Sequence, residues 1–330
     1  MPTLPSGVGG LSGRGGGTAW PRTDLAVEAV GAWGRRVPGL DVAEDEVDGV
    51  RVTRVRVGSP EAEAVVGKPQ GTYVTLDAPG LRGRDTGVRE ALARVVAAEL
   101  GRLLPGPEAH VFVVGLGNAR ATPDAVGPRV LEGILVTRHL AGQVPRDLAG
   151  RLRPVSALAP GVLGTTGIET GEIVRAVVER VRPDLVLAVD ALASRSVARL
   201  ARTVQIADTG IHPGAGVGNP RTALDEATVG VPVVALGVPT VVHAATIAWD
   251  TFDLLARELQ EDPAYPALER LRREDPQRLA ERVLEPAVGD LLVTPREIDL
   301  LLDDLAEVLA SGINAALHPA LTAGLRAPGG

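Results

Sequence analysis

Two aspartates stand where paired-carboxylate chemistry would need them. Asp124 lies in the polar, glycine-containing stretch GLGNARATPDAVGP after the apolar run VFVV, and Asp190 opens DALASR after LVLAV. In open α/β sheets, sites form outside the carboxyl ends of the strands. Two carboxylates brought to neighbouring strand ends can hold one proton between them, one acting as acid and the other as base toward a water. The same residues also read as helix caps. Thr122 would cap, Pro123 would sit at the first helical position, and Asp124 would complement the dipole; Asp190 would be the N-cap of a helix ALASRSVARL. The two roles are compatible, and no other pair of acids in the chain is so placed.

A third stretch, Asp208 to Asn219, is dense in glycine: Gly210, Gly214, Gly216 and Gly218. It resembles a dinucleotide loop, but Asn219 takes the place of the third glycine and no strand reads directly before it. Two readings remain, a loop needing several positive φ angles and a wall for an extended-peptide groove in which Asp208, His212, Gly214, Gly216 and Gly218 would take part. The chain has no HExxH, no P-loop around Lys68 and no GxSxG elbow. Its five histidines show no metal-ligand spacing, so no cofactor is expected, with His212 and His243 kept as candidates should a metal be bound.

The elements that must position these residues follow from periodicity. Residues 45–90 alternate polar and β-branched residues (VRVTRVRV, then TYVTL) and predict a small β-rich region. Beyond residue 90, helical patterns (REALARVVAAELGRLL, ETGEIVRAVVERV, ALASRSVARLA) alternate with short apolar runs (HVFVVGLGN, DLVLAVD, VPVVALGVPTVV). That rhythm predicts an α/β fold, a central mostly parallel or mixed sheet flanked by helices. Residues 256–290 are charged and helical in pattern, and DLLLDDLAEVLASGINAAL is a closing amphipathic helix with Thr294 and Pro295 at its start. Residues 1–20, rich in Gly and Ser, are expected to be a flexible leader.

Composition narrows the function classes. The chain has 330 residues, 45% hydrophobic and 23% charged, which fits a folded globule. Absence of cysteine excludes a disulfide scaffold, a thiolate metal site and a cysteine nucleophile, and fits a reducing compartment. A net charge of −7 offers no global field for nucleic acid. Lys68 is the only lysine, which reads as coding bias or thermal adaptation. Val229–Trp249 carries no formal charge, but Pro232, Gly237 and Pro239 interrupt it, so it reads as a buried parallel strand followed by a loop and no membrane partner is expected.

Several long strings resemble the bacterial spore germination protease family: RTDLAVEA at 22–29, GLGN…TPDAVGP at 115–128, VTRHL at 136–140, RPVSALAPGVLGTTGIETGEIV at 153–174, AVDALASRSVARLARTVQIADTGIHPGAGVGN at 188–219, GVPVVALGVPTVV at 230–242, VTPREID at 293–299 and INAALH at 313–318. The resemblance implies an endopeptidase that degrades small acid-soluble, DNA-coating spore proteins as germination begins. It implies a cytoplasmic, spore-core location, a homotetramer, and a fold like that of hydrogenase-maturation proteases and phosphorylases. Its aspartate pair falls on Asp124 and Asp190. His243 stands where the family pattern has an acid, and residues 256–290 look shortened. Related hydrogenase-maturation endopeptidases share the GLGN…DAVGP style of loop, which keeps a metal-assisted hydrolase, with His212 or His243 as further ligands, as an alternative; a non-catalytic module binding spore proteins is another.

Family members are made as zymogens that lose a short N-terminal segment. On that basis the expected processing site is the bond between Asp24 and Leu25, which would remove residues 1–24 and leave 25–330 as a single α/β peptidase domain. The residues alone read instead as a helix N-terminus, with Thr23 capping and Asp24 and Glu28 favouring the first turn.

Overall fold

The computed structural model describes residues 23–33, 37–83, 85–140, 142–143, 152–214, 222–258 and 291–322. The expected leader, Gly216, Gly218 and most of 256–290 lie outside the described residues. The strands are β1 (Leu40–Val47), β2 (Val50–Val57), β3 (Gly71–Asp77), β4 (Val111–Gly115), β5 (Val155–Leu158), β6 (Leu185–Ala193), β7 (Thr203–Ala207), β8 (Val233–His243) and β9 (Leu292–Val293). The helices are α1 (Ala26–Trp33), α2 (Pro60–Val66), α3 (Thr86–Gly101), α4 (Val126–Glu132), α5 (Leu163–Thr166), α6 (Thr170–Val181), α7 (Glu226–Val229), α8 (Ala244–Glu258), α9 (Ile298–Leu317) and α10 (Pro319–Thr322).

All nine strands form one mixed sheet in the order β1-β2-β3-β7-β8-β6-β4-β5, with β9 added to β8. Strands β5, β4, β6 and β8 are parallel, whereas β1, β2, β3, β7 and β8 pair antiparallel in turn. Strand β8 is the seam between the two halves. The fold is therefore α/β, with a meander grafted on one flank.

Period-two alternation distributes each central strand between two layers. On β6, Leu185, Leu187 and Val189 join the core under α3, α4 and α9, while Val186 and Ala188 face the core under α6 and α7. Strand β4 divides likewise, Val111 and Val113 to one layer and Phe112 and Val114 to the other. Being covered on both faces explains why these strands read as unbroken apolar runs. A third cluster, including Val55, Val57 and Tyr73, lies under α1 and α2.

Several expectations are corrected. ALASRSVARLA is not a helix: β6 continues through Asp190 to Ala193, and only one 3-10 turn, Val197–Arg199, follows. Asp190 is therefore a strand residue and not an N-cap. Pairing with β8, from Asp190 opposite Gly237 to Ala193 opposite Val241, fixes this segment as strand, against its helical pattern. Strand β7 ends at Ala207 and does directly precede the glycine-dense loop; its short TVQIA lacks an apolar-run signature because it belongs to the antiparallel half. Strand β8 passes straight into α8 without a loop, and the closing helix begins at Ile298, after Thr294 and Pro295.

Candidate active site

Parallel β4, β6 and β8 end at the same edge, and a cavity of about 380 Å³ opens there. Asp124 and Asp190 both line it. Around them stand Leu116 and Gly117 after β4, Ala191–Ala193 on β6, and Thr240 and Val241 on β8.

Each aspartate is placed by backbone. The chain leaves β4 through Gly117, whose φ of +105° suits glycine, and closes a 3-10 turn over Thr122–Asp124 that contacts β6 and β8. Within this loop the Asn118 N–H donates to Asp124 Oδ2 at 2.8 Å, so the carboxylate ties its own loop shut. A Cβ at Gly117 would lie 1.9 Å from the Asp124 carbonyl oxygen, and a Cβ at Gly127 on α4 would lie 2.3–2.5 Å from backbone of Leu116 and Val189. Glycine at these two positions lets loop and helix close onto β4 and β6. Asp190 is 5% exposed on β6, and its Oδ1 accepts the N–H of Ala191 at 2.8 Å.

Two further acids share this cavity. Glu169, the residue before α6, has a buried Oε2 without a hydrogen-bond partner. Asp24 enters from the N-terminal segment. Its N–H donates to the Ala193 carbonyl at 2.9 Å, and the Ala193 N–H donates to Asp24 Oδ2 at 2.8 Å. The Gln205 side chain completes the hold: Nε2 donates to the Asp24 carbonyl at 3.0 Å, and Oε1 accepts from the Ala26 N–H at 2.7 Å. Leu25, between them, is fully buried. Thr23 Oγ1 accepts from the Leu25 N–H at 3.1 Å and donates to Glu28, whose carboxylate also takes the N–H groups of Arg195 at 2.7 Å and Ser196 at 3.0 Å. Thus residues 23–28 are strapped across the end of β6.

A second, smaller cavity of about 60 Å³ lies on the other side of Asp24, lined by Lys68, Tyr73, Gln205 and His212 among others. Lys68 Nζ donates to the Thr23 carbonyl at 3.1 Å. Burial pushes its ammonium below the ordinary lysine value, with Asp24 and Glu28 opposing. Burial likewise pushes the Tyr73 phenol up to about 12.

The remaining candidates are dispersed. Gly214 lines the main cavity with Pro213, but Asp208 turns away, its Oδ1 accepting from the Thr72 N–H at 2.7 Å. His212 lines the second cavity only. His243 is buried at the end of β8, opposite Leu292, and lines neither cavity. Among the described residues no three His, Asp or Glu side chains are grouped to hold a metal ion, so His212 and His243 are not brought together with the aspartates as a ligand set.

Sequence reasoning missed Glu169, Gln205 and Lys68. The signal for Lys68 was its uniqueness in a chain otherwise supplied with arginine. Nothing in the sequence marked Gln205 or Glu169, which matter through their position beside Asp24 and the aspartate pair.

A family model described as germination protease matches residues 27–265 and 265–326. Among similar curated proteins is a germination protease of Caldanaerobacter subterraneus, 49% identical over 310 residues that cover 91% of this chain and 95% of the relative. One from Clostridium tetani is 44% identical over 310 residues, covering 91% and 96%. Another, from Bacillus mycoides, is 41% identical over 343 aligned positions, covering 90% and 93%.

Proposed function

The chain belongs to the germination protease family and is a protease of spore germination; from that premise we propose that it is an aspartate-dependent endopeptidase acting on small acid-soluble spore proteins in the spore core. The observation that carries the mechanism is the placement on one cavity of Asp124, in the turn that follows β4, and Asp190, on the adjacent parallel strand β6. The pair holds one proton. The ionised member takes a proton from water, whose oxygen attacks the scissile carbonyl carbon; the protonated member delivers a proton to the leaving amine as the C–N bond breaks. The test is incubation of the purified protein with a small acid-soluble spore protein across pH, followed on a gel, with Asp124→Asn and Asp190→Asn as controls. An intact substrate would reduce the protein to a binding module, and metal-restored loss of activity under a chelator would replace the aspartate pair with metal-assisted chemistry.

We further propose that the chain is made as a zymogen and removes residues 1–24 by cutting between Asp24 and Leu25. Support comes from Asp24, which lines the same cavity as the aspartate pair. Because the strap is docked on its own cavity with Leu25 buried, the cut is intramolecular, and its first-order rate is independent of protein concentration. Intact mass and N-terminal sequencing read the product, a chain beginning LAVEAVGAW. A fully active chain still beginning at Met1 would refute it.

Assembly as a homotetramer is the third element of the proposal. Leu254 and Leu255 on α8 are 60% and 48% exposed, apolar surface of the kind that subunit contacts cover. Light scattering that finds a monomer at micromolar concentration would contradict it.

A further inference from the structure

The geometry points to Gln205 as the side chain that holds and polarises the peptide bond to be cut, a backbone-reading subsite at a bond with an acidic residue on its amino side. This rests on the reading that Asp24–Leu25 is a substrate bond.

A side-chain amide in the middle of a sheet needs partners for two functions. Gln205 is 8% exposed on β7, between Thr75 and Gly237, and both of its functions are satisfied by one tripeptide, Asp24 to Ala26. The Ala26 N–H can only donate, so it fixes Oε1 as the acceptor and leaves Nε2 to face the Asp24 carbonyl. Gln205 therefore reads backbone rather than side chain, at the bend that leads from Asp24 into α1. The adjacent Gly237 contributes no side chain and helps line the small cavity beside the amide.

The Asp24 carbonyl is the group attacked if this bond is cut. When water adds to its carbon, negative charge develops on the oxygen that Nε2 already contacts, and a fixed donor at that atom gains strength as the charge grows. The added hydroxyl stays on the Asp24 carbonyl carbon, the C–N bond breaks, and the Leu25 nitrogen leaves as an amine carrying the transferred proton. Gln205 neither gains nor loses a proton. Alongside it, the Ala193 N–H at 2.8 Å from Asp24 Oδ2 reads the acidic side chain on the amino side of the bond.

Two variants test the assignment. Each is assayed for self-processing by intact mass, and in trans on a synthetic peptide of residues 20–31, with a thermal melt as the check on folding. Gln205→Leu removes the donor and should slow both reactions about 100-fold, the cost of losing one such donor, with the loss mainly in kcat for the peptide. Gln205→Glu is the sharper probe. A protonated glutamic acid can donate to the carbonyl and accept from the N–H, whereas the carboxylate can only accept. The variant-to-wild-type rate ratio should therefore rise as pH falls toward the carboxyl range, a dependence that a purely structural role would not produce. Wild-type rates in Gln205→Leu, or a pH profile for Gln205→Glu parallel to wild type, would overturn the assignment. If the wild-type chain cuts the peptide but leaves its own Asp24–Leu25 bond intact, the self-processing reading fails, and Gln205 stands or falls on the peptide rates of the two variants. If it cuts neither, both fail.

Discussion

The backbone N–H of Ala193 donates to the carboxylate of Asp24 at 2.8 Å, three residues beyond Asp190 on the same strand. One strand thus carries a member of the aspartate pair and the group that anchors the segment lying across it. Chemistry and docking are coupled through rigid β6, which is buried between β4 and β8.

Asp124→Asn and Asp190→Asn should each reduce cleavage by about 10³-fold, within the range for losing an acid or base, while the fold survives. Asparagine retains an oxygen that accepts from Asn118 N–H in one case and from Ala191 N–H in the other. Peptide hydrolysis with thermal melts checks this; near-normal turnover in both variants would remove the pair from the mechanism.

Gly117→Ala should displace the loop that carries Asp124. Its new Cβ meets a backbone carbonyl, which cannot swing aside as a side chain would, and alanine is strained at φ +105°. A stability loss of about 2 kcal/mol or more is expected, together with a fall in kcat larger than that of an alanine substitution at an exposed site. Denaturant unfolding and peptide kinetics measure the two effects.

Glu28→Ala should loosen the connection from β6 to the following 3-10 turn. The N–H groups of Arg195 and Ser196 lose their acceptor, and Arg199, 3.3 Å from the carboxylate, loses its ion pair. Destabilisation of about 1–3 kcal/mol is expected when these part-buried donors are left without an acceptor. Faster hydrogen exchange confined to residues 194–199 and the strap would locate the effect.

Stability should decline on the acid side through His318. Burial lowers its pKa from 6.5, partly opposed by the contact of Nε2 with the Leu135 carbonyl; Nδ1 is buried without a partner. Because the folded pKa lies below the unfolded one, the unfolded chain binds more protons between the two values, so stability falls as pH drops through 6.5 toward the folded pKa. His110 shifts the same way, chiefly through burial. His318→Gln keeps a donor for Leu135, and denaturant midpoints between pH 7 and 5 should decline less steeply in it than in wild type.

Legibility in the sequence followed burial. Strands β4, β6 and β8 were recognisable because both faces are covered, and α3, α6 and α9 because a single apolar stripe is. Asp124 and Asp190 were found because polar residues after apolar runs mark strand ends. The extension of β6 past Asp190 was not legible, since Ala191–Ala193 is equally good helix sequence and only pairing with β8 decides it. Gln205 was invisible for a different reason: its importance lies in a segment 181 positions away in sequence, and no local pattern encodes that meeting.

Lys68 carries a practical consequence. As the only lysine, it gives the protein a single side-chain amine, and that amine is engaged with the Thr23 carbonyl. Acylation at Lys68, resolved by peptide mapping from that of the chain's α-amine, is therefore a reaction whose speed reports how often the strap lets go. A mass shift at one position, followed in time, becomes a clock for strap opening that needs no substrate.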